Sequence, residues 1–236
     1  MTHNNIIDIL REQSALNKPQ GVANIKQTLT LISNSFSLKE LISSLTSDEQ
    51  YLATMASLSY SHSLGFDKII IAPYENSNYQ LRFNIWWSEY TMLANHYEHI
   101  HNHRWDFSTY LLLGSYRFEN YRPAKAGLSM HHYFYYEFEK GKYQFDDQGI
   151  KEIELFETGI LNRREQMSVS NDILHKVVPV QTNVPTVSLF LTSKPRVNKT
   201  SIYSETEILN KISVNKTLPM TANELRNKLL LLLSIE

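Results

Sequence analysis

Apolar residues recur three and four apart through the first 65 positions, in IIDILREQ, NIKQTLTLISNSF and SLKELISSLTSDEQYLATMASLSY. That spacing predicts helices that each bury one stripe. Ser37 with Glu40 forms a capping box before LKEL, and Thr46, Ser47 and Asp48 mark a further helix start before EQYLATMASL. From residue 68 the period changes to two. KIIIAPY (68–74) reads as a strand, and YQLRFNIWW (79–87) sets Tyr79, Leu81, Phe83 and Ile85 against Gln80, Arg82, Asn84 and Trp86. Further strands are expected over 99–113, 115–121, 130–140, 142–146, 151–158, 173–180 and 186–193, with ENSN, YRPAKAG, EKGK, DDQG and QTNVP as turns. Short strands at this spacing point to a β-sandwich or barrel. Past residue 200 the helical period returns, with Ser204 and Glu207 heading ETEILNKI and Thr221 and Glu224 heading ANELRNKLLLLL. The expected organisation is a helical N-terminal extension (1–65), a β-barrel (66–198) and C-terminal helices packed on it (199–236).

Composition narrows the function more than the fold. The formal net charge is −1, without the basic excess of a nucleic-acid binder. No cysteine is present, which excludes disulfides, thiolate-bound zinc and a thiol nucleophile, and suits a cytoplasmic protein. The N-terminus has no apolar signal-like run, and KLLLLLSI (228–235) is far short of the roughly 20 residues that span a bilayer. Neither nucleic acid nor membrane is therefore expected as a partner. The 14 Tyr and 10 Phe are read mainly as packing residues.

The candidate chemistry lies in HIHNHRWDFSTYLLLG (99–114), where His99, His101 and His103 alternate. On a strand, residues two apart share a face. Neutral imidazole is the commonest metal ligand among side chains. The competing reading is a histidine-rich surface edge. His99 is placed just before the strand, exposed or supporting a neighbouring ligand, and His96 in a loop. Asp106 falls on the opposite strand face and would ligate only across a bulge.

His101 and His103, then Phe107, then Gly114 resemble the first motif of the cupin superfamily: Gly, five residues, His-x-His, three or four residues, Glu, six residues, Gly. Asn95 stands at the first Gly position and Phe107 at the Glu position. The second cupin motif, Gly, five residues, Pro-x-Gly, two residues, His, three residues, Asn, aligns His175 with its histidine. Arg164, Ser170, Asp172 and Pro179 take the other positions. Asn95 and Asp172 are mild replacements, because Asn and Asp tolerate left-handed turns. The resemblance covers roughly residues 68–195.

It implies a mainly β, cupin-type double-stranded β-helix (jelly roll) with flanking helices and a metal held by His101, His103 and His175. Because Phe107 cannot ligate, the site is similar to three-histidine iron cupins such as the thiol dioxygenases. The implied activity is a mononuclear non-haem Fe(II) oxygenase that takes O2 and a small polar molecule. Three imidazoles also suit other metals. A Zn, Mn or Ni cupin isomerase or hydrolase, and a non-catalytic ligand-binding cupin, therefore stay open, as does a homodimer. Arg82, Asn84 and Trp105 are the candidate substrate-binding residues. Tyr110 and His131 are the candidates for proton transfer; His131 and His132 face opposite sides of a strand, so at most one points inward. Arg117, Tyr133 and Tyr135 are further pocket candidates.

Overall fold

The computed structural model describes residues 1–16, 21–62, 65–88, 99–180, 183–214 and 217–235. Four helices open the chain: α1 (His3–Leu16), α2 (Val22–Asn34), α3 (Leu38–Ser47) and α4 (Glu49–Leu58). The capping signals at Ser37 and Asp48 hold at atomic level. The Ser37 side chain accepts from the Glu40 N–H at 3.3 Å, and Asp48 accepts from the Tyr51 N–H at 2.9 Å.

Among the described residues twelve strands follow: β1 (Tyr60–His62), β2 (Phe66–Ala72), β3 (Tyr79–Trp86), β4 (Ile100–His101), β5 (Phe107–Leu113), β6 (Tyr116–Glu139), β7 (Lys142–Leu161), β8 (Gln166–Val169), β9 (Leu174–Pro179), β10 (Thr186–Ser193), β11 (Lys199–Ser204) and β12 (Ile212–Val214). They build two six-stranded antiparallel sheets, ordered β1-β2-β3-β10-β5-β8 and β11-β4-β9-β6-β7-β12. Within them, β3 to β10 alternate between sheets as 3-10-5-8 and 4-9-6-7. That is the order of a two-Greek-key jelly roll.

Three expectations need correction. YRPAKAG and DDQG do not turn the chain. They are irregularities inside two very long paired strands, with Pro123 and Leu128 both opposite Ile153 and a register shift between His131 and Tyr133. Proline fits within a strand at such a bulge because no ladder N–H is required of it. ETEILNKI is not a helix. Ser204 ends β11 opposite His131, the Ile208 N–H donates to the Tyr133 hydroxyl at 3.0 Å, and the Lys211 carbonyl accepts from the Phe145 N–H at 2.8 Å. Backbone groups already committed to the sheet are not free for a helix. Among the described residues the C-terminal region therefore has one helix, α5 (Ala222–Leu233), capped by Thr221. Finally, 99–113 is not one strand. The ladder breaks after His101 and resumes at Phe107.

The largest hydrophobic core lies outside the barrel. Leu81, Phe83 and Ile85 of β3 and Val187, Leu189 and Leu191 of β10 pack with Ile6, Leu10, Ile25, Leu29, Leu41, Leu52 and Leu229 of the helices. The other face of the same strands, carrying Arg82, Asn84 and Ser188, is therefore the barrel interior, and it is buried as well.

Candidate metal centre

The site begins with a very short strand. β4 lies between β11 and β9, and His101 is the direct antiparallel partner of His175. Beyond it the chain leaves the ladder. Asn102 holds that departure, its N–H donating to the Ser201 carbonyl at 3.1 Å and its Oδ1 accepting from the Ser201 N–H at 2.6 Å. His103 is thus delivered from a loop rather than from a continuous strand. Asp106 closes the loop: fully buried, it pairs with Arg196 at 2.8 Å and accepts from the Asn171 N–H at 2.8 Å. One carboxylate therefore ties the segment carrying His103 to the turn that leads into His175, and it is no ligand.

The three imidazoles form a near-equilateral triangle, with all three ring-centroid separations at 4.8 Å. One ligand nitrogen from each can be chosen so that all lie within 4.8 Å of one another. Nitrogens bound at ordinary lengths to a shared ion stand roughly 3–3.5 Å apart, so modest side-chain rotation closes the set. Backbone carbonyls orient two of the rings: His101 Nδ1 lies 2.9 Å from the His99 carbonyl, and His175 Nδ1 lies 3.4 Å from that of Ile173. Donation from Nδ1 leaves Nε2 of each as the lone-pair nitrogen, as metal-binding histidines require.

Burial favours the neutral form of two of the rings. Burial pushes His175 down to about 3, with His101 adding to the shift, and pushes His103 well below its ordinary value, with His101 and His175 next in effect. Neutral imidazoles are the form that ligates. Phe107 stands edge-on to His103 at 5.2 Å and 5.3 Å from His175, and Trp105 stacks on His103 at 5.4 Å. These rings wall the triangle with carbon. Among the described residues no carboxylate joins it. The donor set fits one metal ion with several positions left for other ligands.

The triangle opens into a cavity of about 370 Å³ between the sheets. Arg82, Asn84, Trp105 and Tyr135 line it, and His99 sits exposed at its rim. Tyr110 does not: it lies on the helix side of β5, against the outer core. His131 also falls outside the lining, opposite Ile150 and Ser204, as do Arg117 and Tyr133. β-strand alternation sends Tyr110 away from its neighbours Phe107 and Thr109, which do line the cavity. Asn95 and His96 lie outside the described residues. Sequence reasoning passed over Lys68, His62 and Arg104, all in the lining. Lys68 had a detectable signal, as the only charge in the apolar run KIIIA.

Two histidine segments meet on adjacent strands of a jelly-roll sheet and aim into the barrel. The fold is a cupin-type jelly roll. The cupin glycine positions agree in part: Gly114 has φ 70°, and Arg164, at the second motif's first glycine, has φ 69°. Asp172 has no such conformation, so its tolerance for left-handed turns is not used. No protein-family model matches the sequence, and no curated protein matches it. Among solved structures, a hydroquinone 1,2-dioxygenase from Sphingomonas sp. TTNP3 is 10% identical at TM-score 0.29, over 55% of this chain and 66% of that one. A cupin-superfamily sugar phosphate isomerase from Silicibacter pomeroyi is 12% identical at TM-score 0.34, over 68% and 83%. The hydroxypropylphosphonic acid epoxidase of S. wedmorenis is 7% identical at TM-score 0.35, over 79% and 96%. The chain spans about two thirds of the length of the hydroquinone dioxygenase chains it matches, at 64% and 66%. No helix among the described residues is long and apolar enough to cross a membrane.

Proposed function

We propose that this cupin is a metal-dependent enzyme: a mononuclear non-haem Fe(II) oxygenase, with His101, His103 and His175 as ligands and a small polar molecule and O2 as substrates. The observation that carries this reading is the triangle of imidazoles facing the cavity, without a fourth protein ligand among the described residues. An iron ion bound there would supply open coordination positions and redox chemistry.

The chain's own residues do the rest. The His99 and Ile173 carbonyls fix ring orientation, and Asp106 fixes the spacing of the two ligand-bearing segments. Trp105, Phe107 and Phe190 exclude bulk water beside the ligands, which strengthens polar contacts to a bound substrate. Arg82 and Asn84, linked at 3.1 Å, present donors from the opposite sheet to orient that substrate.

The test is metal analysis of protein purified without oxygen, for the native chain and His103→Ala side by side. About one iron per chain, lost in the variant, is expected, with O2 uptake as the readout for a substrate screen. Zinc, manganese or nickel at that level would replace the oxygenase by the Lewis-acid isomerase or hydrolase reading. No metal after reconstitution would overturn the enzyme proposal.

A further inference from the structure

We propose that the sheet wall opposite the histidines is an acid-binding subsite, where Lys68 and Arg82 hold the anionic head of an organic acid whose apolar body lies against Phe190, Phe107 and Trp105. This deepens the functional reading above and rests on the cavity being a substrate site.

The first observation is a charge imbalance. Among the described residues the lining carries Lys68, Arg82 and Arg104 but one carboxylate, Glu137. Glu137 lies exposed and accepts from the Gly141 N–H at 2.7 Å, so it is engaged at the β6–β7 hairpin.

The second is the company Arg82 keeps. Its side chain is buried, 6% exposed as a residue, yet its contacts are uncharged: Asn84 Oδ1 at 3.1 Å, Gln80 Oε1 at 3.4 Å, and the Phe190 ring 4.4 Å below the guanidinium. A guanidinium has five N–H donors in a fork that matches a carboxylate or phosphonate. Buried charges ordinarily have a counter-charge, and among the described residues this one has none. Lys68 is half-buried and likewise has no counter-charge among the described residues, with the Tyr60 hydroxyl at 3.4 Å and the Tyr60 ring at 5.1 Å as its partners. Burial, then the charges of Arg82 and Arg104, push its ammonium down to about 7. An arriving anion would relieve both groups.

The third is register. Lys68 pairs with Asn84, and Ile70 with Arg82, so Lys68 and Arg82 are diagonal neighbours on one sheet face. Diagonal neighbours are about 7–8 Å apart at the backbone, a gap that long side chains bridge. An acid head between them can bond both. On the same face Ser188, the partner of Asn84, and Thr109, the partner of Phe190, have buried hydroxyl oxygens without a hydrogen-bond partner among the described residues. Unsatisfied buried hydroxyls are rare in native proteins unless water or a ligand meets them. The apolar side is explicit too: Phe190 stacks on Phe107 at 4.7 Å, and Phe107 borders His103 and His175. A molecule anchored at Lys68 and Arg82 and extending over these rings reaches the metal centre.

The test uses a charged and neutral pair of equal shape, phenylacetate and phenylacetamide, titrated calorimetrically into the full chain. Metal content and circular dichroism are measured on the same samples. The native chain is expected to bind the acid about tenfold or more tighter than the amide, since charge-assisted hydrogen bonds are roughly twice as strong as neutral ones. Lys68→Met should erase most of that preference with metal content unchanged, and Arg82→Gln, if folded, should do the same. Equal binding of the pair, binding of neither at millimolar concentration, or an unchanged preference in folded Lys68→Met overturns the subsite. A chain that holds no metal but keeps a Lys68-dependent acid preference rejects the iron reading and retains the subsite. A metal-loaded chain without that preference does the reverse.

Discussion

His101 and His175, far apart in the chain, sit directly opposite one another on β4 and β9, with ring centroids 4.8 Å apart. The hydrogen-bonded ladder sets their separation, so removing either ring leaves the other in place. His175→Ala should therefore abolish stoichiometric metal binding while the fold persists. The loss should exceed the 10–100-fold typical of removing an outer partner of a ligand. Metal analysis with circular dichroism checks it.

Asp106 makes a separate, quantitative prediction. Asp106→Asn removes a fully buried negative charge from half-exposed Arg196, although its amide oxygen can still accept from the Asn171 N–H. The expected cost is on the order of 1–3 kcal/mol, the range for losing a charged buried hydrogen bond. Metal affinity should fall too, because the His103 loop and the turn before His175 lose their common anchor. Urea unfolding and a metal titration read the two effects; a variant with native stability and native affinity would contradict the anchoring role.

Two turn positions should respond with opposite sign. Gly114 has φ 70°, and a Cβ there would lie 2.5 Å from Thr186 Oγ1 and 2.9 Å from Thr186 Cα. Gly114→Ala should destabilise by about 2 kcal/mol or more, combining left-handed strain with a backbone clash. Arg164, exposed at φ 69°, bears the same strain without a clash. Arg164→Gly should be neutral or stabilise by up to about 1 kcal/mol, strain relief exceeding the entropy of the freer unfolded chain. Thermal midpoints decide both.

The histidines also predict how metal-free stability varies with pH. Burial holds His175 at about 3 and His62 at about 4, against 6.5 when unfolded. Between those limits the unfolded chain binds more protons than the folded one, so unfolding becomes easier as pH falls. Stability should be level above about pH 7.5 with respect to these groups and decline from pH 6.5 toward pH 4. Bound metal should raise stability across that range without steepening the part of the decline due to His175, which holds no proton for the metal to displace there. Denaturant midpoints across that range, with and without metal, provide the measurement.

Much of this site was legible before any coordinates. His-x-His with Gly114 and the distant His175 picked out the three histidines that the fold brings together, because the ladder and turn conformations that such a motif needs restrict residue type locally. The Phe107 substitution pointed to an all-nitrogen site for the same reason. What was not legible was depth. Tyr110 and His131 sit on strands whose alternation is plain, but alternation distinguishes two faces without saying which one meets the cavity. Asp106 fared likewise: its partners, Arg196 and Asn171, are remote in sequence.

The sequence by itself determined the helix starts at Ser37, Asp48 and Thr221, most strand segments and the identity of the histidine triad, since caps, periodicity and turn residues act over a few positions. The tertiary structure decided which face of β3 and β10 is inside. Helices cover Leu81, Phe83 and Ile85 on the outer side, leaving Arg82 and Asn84 to line the barrel. A strand buried on both faces has two insides. Only the packing of helices against one of them turned the polar face into a binding site.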